Sequence, residues 1–255
     1  MSVEFSSLLL SRLASAQRVV AFTGAGVSAE SGVPTFRGND GVWKKFKLEE
    51  LASLDAFLGN PRLVWEWYTH RKKIIAEIHP NAGHHALATM ETMFTEFVVI
   101  TQNIDNLHRR AGNKRVYELH GNIERNYCIK CGAHYSDNEL HLMEAREAPH
   151  CLKCGGLIRP DVVWFGEILP EDEWESSVRA AESADVFFSI GTSGVVYPAA
   201  SIPLIAQQQG AYVVEINPEP TPLTARADEF IAGASGVVLP AIVARLACLH
   251  QPHHS

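Results

Sequence analysis

RVVAFTGAGVSAESG (18–32) opens as a β-branched, apolar run and closes on glycines. That pattern describes a buried parallel strand emptying into a tight turn. Within it, Gly24-Ala25-Gly26-Val27-Ser28-Ala29 fits G-x-G-x-x-G/A, where small residues let backbone N–H groups approach a pyrophosphate. Alone, such a loop fits plain strand–turn–helix packing as well as it fits a nucleotide. A dehydrogenase-type site also wants an acidic residue ending the second strand, roughly 20 residues on. Here that place holds SGVPTFRGNDGVWKKF (31–46), rich in Gly, Pro and basic residues and without a second strand. A dinucleotide held by this loop is therefore not held in the dehydrogenase manner.

Outward from the loop the same rhythm repeats. EFVVITQNIDNLH (96–108) starts as a buried strand and leaves it in a polar loop. RVYELHG (115–121) is a short strand ending in His-Gly, and DVFFSIGTSG (185–194) a buried strand ending in a Gly/Ser/Thr turn. AYVVEINPEPT (211–221) is a strand ending at Asn217, and LIRPDVVWFGE (157–167) is strand-like, with Pro160 marking an edge or bend. Between them lie helical stretches: NAGHHALATMETMF (81–94) with Asn81 as N-cap, SIPLIAQQQG closing on Gly210, and GASGVVLPAIVARLA near the end. Strand, polar turn, helix, strand is the α/β pattern with a parallel sheet, whose ligands sit at the carboxyl ends of the strands. Gln102, Asn103, Asp105 and His120 fall at such ends, and His120 is the best general-base candidate because imidazole titrates near neutrality.

Cys128-x2-Cys131-x19-Cys151-x2-Cys154 has the spacing of a four-thiolate zinc site, each pair followed by glycine for a knuckle turn. Four thiolates leave no open position for water, so the zinc is expected to be structural. Cys248, the fifth cysteine, is expected to be a small buried apolar residue of the last helix.

WEWYTHRKKI (65–74) poses a different question. Around it, roughly 62–78, a helix is expected with Val64, Trp67, Ile74, Ile75 and Ile78 on one stripe and Tyr68 at its edge. Arg71 lies near the centre of that stripe, away from Arg62, Glu66, Lys73 and Glu77. A guanidinium on a core-facing stripe is costly unless an anion meets it, supplied by this chain or by a ligand.

Net charge is −7, from 22 basic and 29 acidic residues, which argues against a nucleic-acid surface as the main role. No apolar run reaches the roughly 18 residues of a membrane span, and MSVEFSSLLLSRLASAQ reads as an amphipathic helix rather than a signal peptide. Few cysteines, mostly in C-x-x-C pairs, fit a reducing compartment, so a cytoplasmic location is expected. The His-rich end HQPHHS is expected to be a frayed tail.

GAGVSAESGVPTFRG, TQNIDNLHRRAG, ELHG, the two C-x-x-C pairs, RPDVVWFGE, GTSGVVYPAA and EIN, in this order, resemble the successive motifs of the sirtuins, NAD-dependent protein-lysine deacylases. The nearest branch is the one with the mitochondrial desuccinylase and bacterial members. The resemblance implies a Rossmann-like NAD-binding domain (1–38, 86–122 and 159–255). It also implies a smaller domain made of a helical, cofactor-loop insertion (39–85) and a zinc-binding insertion (123–158). It implies that Gly24, Ala25, Gly26, Ser28, Ala29, Phe36, Arg37 and Trp43 line the NAD site, with Arg37 on a mobile loop. Gln102, Asn103, Ile104 and Asp105 would surround the nicotinamide and its ribose. Gly191, Thr192, Ser193, Asn217, Glu219 and Ser235 would hold the adenosine half, which accounts for the missing acidic residue. NAD would be a consumed co-substrate, His120 the base, and one zinc purely structural.

The partners implied are acyl-lysine proteins or peptides, added as a strand beside Val162-Val163-Trp164 and 191–196, with no membrane and no direct nucleic-acid contact. Substrate contacts would come from Ala52 in ELASLDAF, Tyr68, Arg71, Val162 and Phe165. Tyr68 and Arg71 match the pair that grips the acyl carboxylate in the desuccinylases, three residues apart on one helix face. Two other classes remain open at this point: an NAD(P)-dependent oxidoreductase, and a zinc-ribbon nucleic-acid binder.

Overall fold

The computed structural model describes residues 3–33, 51–142 and 148–249. Strands β1 (Arg18–Thr23), β2 (Glu96–Thr101), β3 (Val116–Glu118), β7 (Val186–Ile190), β8 (Tyr212–Asn217) and β9 (Glu229–Ala232) form one sheet. Its order is β3-β2-β1-β7-β8-β9, and every pairing is parallel. The central strands are buried on both faces, so they read as unbroken apolar runs. Along β1 the side chains still alternate: Val19 and Ala21 join one core, Val20 and Phe22 the other. The first core is closed by α1 (Ser7–Ser15), α4 (Ala82–Met90) and α9 (Ser235–Leu249) through Leu9, Leu13, Leu87, Met90, Leu239 and Ile242. The second is closed by α7 (Glu171–Ser183) and α8 (Ile202–Gln208).

A second, antiparallel sheet runs β5-β4-β6, from β4 (Gly121–Cys128), β5 (His134–Ser136) and β6 (Ile158–Val162). The sequence reading placed 159–255 with the large sheet, yet β6 pairs only with β4. β4 and β6 thus run across the boundaries expected at 122/123 and 158/159. Pro160 sits on the edge strand, next to the register shift between Asn122 and Asn126. Helices α2 (Leu54–Gly59) and α3 (Pro61–Glu77) pack on this sheet and share a third core, with Phe57, Val64, Trp65 and Tyr68 against Ile123, Tyr135, Ile158 and Trp164.

Why α3 starts and stops where it does is visible in its ends. Pro61 takes the first helical position and Asn60 Oδ1 accepts from Leu63 N at 3.1 Å. At the far end Ile75 O accepts from Ile78 N at 3.2 Å, and Arg110, on α5 (Leu107–Ala111), donates to Ile75 O at 3.0 Å and to Ile78 O at 2.5 Å. The buried stripe of α3 differs from the expected one. Trp65 is buried, its Nε1 donating to Ile158 O at 2.7 Å, while Ile74 is 40% exposed. The helix is rotated toward the small sheet, where Lys72 meets Asn126 and Asp137, so Arg71 stays on the inward side.

Two further expectations need correcting. Cys248 is exposed, because it stands two residues beyond buried Leu246 and so falls on the opposite face of α9. β9 went unread in the sequence: only one of its four residues is buried, so no alternation marks it. Among the described residues no helix is long and apolar enough to cross a membrane.

Candidate active site

Strand order reverses between β1 and β7, which opens a crevice at their carboxyl ends. Two loops meet there backbone to backbone. Gly24 N donates to Ile190 O at 3.0 Å and Gly26 N to Gly191 O at 2.9 Å. A Cβ on Gly26 would stand 2.6 Å from Gly191 Cα, and Gly191 has φ +60°, so side chains at these positions would force the loops apart. Residues 25–31 then form a 3₁₀ turn, which leaves Ala25, Gly26 and Ala29 at least partly exposed on the crevice side of buried Ser28.

The loop after β2 is wired into that turn. Asn103 Nδ2 donates to Gly24 O and to Ser28 Oγ, both at 3.1 Å, and Ser28 Oγ donates to Asp105 Oδ2 at 2.7 Å. Asp105 Oδ1 accepts from Leu107 N at 3.0 Å. Burial raises the Asp105 carboxyl above the usual carboxylate range, while the Leu107 N–H and the Ser28 hydroxyl pull the other way. His84 closes the chain of bonds. Its Nδ1 accepts from Asn81 N at 3.3 Å, so its Nε2–H faces Ser28 Oγ at 3.4 Å. Burial, with His85 adding to it, holds His84 down to about 4. His108 lies beside it, ring centroids 4.9 Å apart and planes tilted by 57°, fully buried and neutral, with Nε2 2.9 Å from Thr23 Oγ1. Gln102 and Ile104 alternate with these buried residues and are half exposed.

His120 is oriented by the same loop. Its Nδ1 lies 3.0 Å from Gln102 O, and a carbonyl only accepts, so Nδ1 carries the proton and Nε2 keeps its lone pair. Burial lowers the imidazole below its ordinary value, partly offset by that carbonyl.

Toward β8, Thr192 is buried, and Gly191 and Ser193 are half exposed. Asn217 Nδ2 donates to Thr192 O at 3.0 Å and to Glu215 Oε1 at 3.2 Å, holding the Gly-Thr-Ser turn. Glu219 is exposed beyond the strand. Ser235 is buried at the start of α9, and Glu30 occupies that helix end, accepting from Gly236 N at 2.6 Å and facing Ser235 Oγ at 3.4 Å. Glu30 was not singled out in the sequence, where it is one more acid in a turn. Phe36, Arg37 and Trp43 lie outside the described residues.

On the opposite side of His120 the segment 162–167 leaves β6 and runs along the third core. Val163 N donates to His120 O at 2.9 Å and Phe165 N to Ala52 O at 3.0 Å, bringing Ala52, Val162 and Phe165 to the same wall. Val162 and Ala52 are buried and Phe165 is 54% exposed. Tyr68 is buried behind them, its hydroxyl accepting from Trp164 Nε1 at 2.8 Å. Burial raises the Tyr68 phenol above its ordinary value, with Arg71 opposing. Arg71 is half-buried, its guanidinium 4.7 Å from the Trp67 ring centroid. Among the described residues it forms no salt bridge and donates no hydrogen bond. Burial lowers its pKa, and Tyr68 and Asp105 offset that, but a guanidinium stays charged.

The four cysteines converge as their spacing predicted, all Sγ atoms lying within 4.8 Å of one another. Cys128 and Cys154 stand 3.5 Å apart, Cys131 and Cys151 3.6 Å. Thiolates about 2.3 Å from one tetrahedral zinc are roughly 3.8 Å from each other, so the set fits that ion. Tyr135 Oη donates to Cys151 Sγ at 3.1 Å and brings that thiol down to about 6. At Cys154 the Gly156 N–H favours the thiolate, yet burial and the sulfurs of Cys131, Cys128 and Cys151 push it up to about 12. Four such groups ionise together only around a cation. Gly132 and Gly155, at φ +69° and +70°, make the knuckle turns.

An α/β sheet with a nucleotide-type crevice, a histidine with an open ring nitrogen beside it and a four-thiolate module defines a narrow class. A model of the Sir2 family matches residues 24–198. NAD-dependent protein deacylase 2 of Pyrobaculum aerophilum is 54% identical over 231 residues, covering 91% of this chain and 92% of the relative. Among solved structures, a Sir2 homologue in complex with NAD is 43% identical with a TM-score of 0.90, covering 97% of this chain and 96% of that one. A Sir2 protein bound to a p53 peptide and NAD+ is 33% identical with a TM-score of 0.85, covering 96% and 100%. The chain belongs to the Sir2 family, the sirtuins.

Proposed function

We propose that this chain is an NAD-dependent protein-lysine deacylase that removes acetyl groups and, more efficiently, succinyl or malonyl groups. NAD, when bound, supplies an electrophilic ribose carbon with nicotinamide as leaving group, and is consumed. Gly24, Ala25, Gly26, Ser28 and Ala29 would line its phosphates, and Gln102, Asn103, Ile104 and Asp105 the nicotinamide ribose. Gly191, Thr192, Ser193, Asn217, Glu219 and Ser235 would line the adenosine half. A neutral amide is a weak nucleophile, so the chain's contribution is to hold the acyl-lysine oxygen in line with that carbon. With NAD bound, His120 Nε2, unprotonated and oriented through Gln102, would take the proton of a ribose hydroxyl so that this oxygen could attack the acyl carbon. One water would be consumed in releasing the amine, and the products would be lysine, nicotinamide and O-acyl-ADP-ribose. The four cysteines would hold a zinc with no chemical step of its own.

The substrate peptide would lie along 162–167 and 191–196. The N–H groups of Val163, Trp164 and Phe165 are already bonded within the chain, so the first segment offers such a peptide carbonyl acceptors. Acyl-lysine peptides as partners and a cytoplasmic setting complete the reading.

The observation that carries the acyl preference is Arg71: a half-buried guanidinium beside Tyr68 that makes no salt bridge among the described residues, with the Asp105 carboxylate acting on it only through space. A buried charge left unpaired calls for a partner, and an acyl carboxylate provides one. The test is a matched pair of acetyl- and succinyl-lysine peptides assayed with NAD. Arg71→Met should lower desuccinylation roughly 100- to 1,000-fold more than deacetylation. Equal losses, or none, would remove the carboxylate role. Nicotinamide should appear without reduced-cofactor absorbance, which sets the activity apart from hydride transfer.

A further inference from the structure

Trp164 is 2% exposed and held on every side. The Arg159 guanidinium stacks 3.4 Å from its ring centroid, and Phe57 packs at 5.2 Å. Its backbone N–H donates to Glu167 Oε2 at 2.8 Å. Arg159 grips the same carboxylate through Nη1 at 2.5 Å and Nη2 at 2.8 Å, and Nη2 also donates to Val162 O at 2.6 Å. The indole therefore presents its Nε1–H in one fixed direction, onto Tyr68 Oη at 2.8 Å.

An indole N–H only donates, whereas a phenol hydroxyl has one proton direction and one favoured acceptor direction, both in the ring plane. Tyr68 must accept in this bond, and among the described residues its own proton has no acceptor. Arg71, one helical turn on, carries only donors. The two side chains thus face the acyl end as a donor-only pair. We propose that Trp164 is a specificity-determining positioning residue: by occupying Tyr68 as an acceptor, it commits the Tyr68 hydroxyl to donate. The pocket then selects acyl chains ending in a carboxylate over isosteric chains ending in a carboxamide, whose N–H₂ would meet donors. This inference rests on the acyl-pocket reading above.

The experiment measures kcat and KM with NAD for acetyl-, succinyl- and succinamyl-lysine peptides in the full chain. The variants are Trp164→Phe, Tyr68→Phe, the double variant, and Arg71→Met. Trp164→Phe should lower the succinyl-to-acetyl ratio of kcat/KM about 3- to 10-fold, mostly through the succinyl KM, and should narrow the succinyl-to-succinamyl gap by a similar factor. In the Tyr68→Phe background the same change should move either ratio less than about 2-fold, since no hydroxyl remains to direct. If Trp164→Phe does not fold, the benzothienyl isostere at 164 keeps the ring and its stack while replacing N–H by sulfur. Unchanged ratios in either 164 variant, or an equal shift in the Tyr68→Phe background, overturn the role of Trp164. If Arg71→Met also leaves the succinyl-to-acetyl ratio unchanged, the acyl-pocket reading itself is overturned. If Arg71→Met collapses the ratio and the 164 variants do not, only Trp164 is.

Discussion

Two buried polar clusters flank His120, and they differ in how far their hydrogen bonds are filled. Beneath the nucleotide crevice, Ser28 bonds Asn103, Asp105 and His84, while Asp105 also receives Leu107 N. Almost every group there is spoken for by the chain; the exception is His108 Nδ1. Around α3, Tyr68 retains a proton and Arg71 a charge with no hydrogen-bond acceptor among the described residues. A filled cluster is scaffold, since its bonds are made whether or not substrate is present. An unfilled donor costs stability until something arrives to meet it. His120 belongs to both: Nδ1 is filled and Nε2 is open.

That contrast can be broken by substitution. Removing the open nitrogen is expected to have the largest effect. His120→Ala should cut kcat/KM by roughly 10²- to 10⁴-fold. The acid limb of the wild-type profile should lie below about 6.5, because burial lowers this imidazole and it loses its proton at lower pH than usual. A limb above neutrality would contradict that.

Next in size is an acid sensitivity of the filled side. His84 is neutral in the fold down to about 4, whereas the unfolded chain takes up that proton near 6.5. Its contribution is complete above 6.5 and lost as pH falls toward 4, about 3 kcal/mol in all. His108, lowered still further, adds in the same sense. Urea unfolding at pH 7.5 and pH 4.5 checks this; equal midpoints would count against both.

A smaller change separates the clusters directly. Ser28→Ala strands Asp105, Asn103 and His84 and should lower stability by about 2 kcal/mol, read as a shift in Tm. Arg71→Met should do the reverse or nothing, staying within about 0.5 kcal/mol of wild type or rising, because it removes a half-buried charge that the fold leaves unmatched. Were Arg71→Met as destabilising as Ser28→Ala, the guanidinium would be part of the scaffold.

The nucleotide side was legible in the sequence because its devices are local. Glycines that approach another backbone, polar residues at strand ends and cysteine pairs all announce themselves within a few positions. The side around Tyr68 and Arg71 was only half legible. Arg71 stood out as a charge on an apolar stripe, but the stripe itself was misjudged: Trp65 is buried and Ile74 is not. A helix period fixes relative angles, whereas which side faces inward depended on the small sheet and on Lys72 reaching Asp137 and Asn126. Cys248, expected inside and found exposed, failed for the same kind of reason.

Strand rhythm, glycine loops and thiol spacing by themselves determined the α/β sheet, its crevice and the metal module, since each depends on short-range chain geometry. Tertiary structure alone decided what each polar group is bonded to. Arg159, Glu167, Trp164 and Tyr68 are joined by side-chain bonds across up to 96 positions. Glu30 reaches Gly236 across 206. No local pattern records which donor finds an acceptor and which is left open, because that depends on what distant segments bring within about 3 Å.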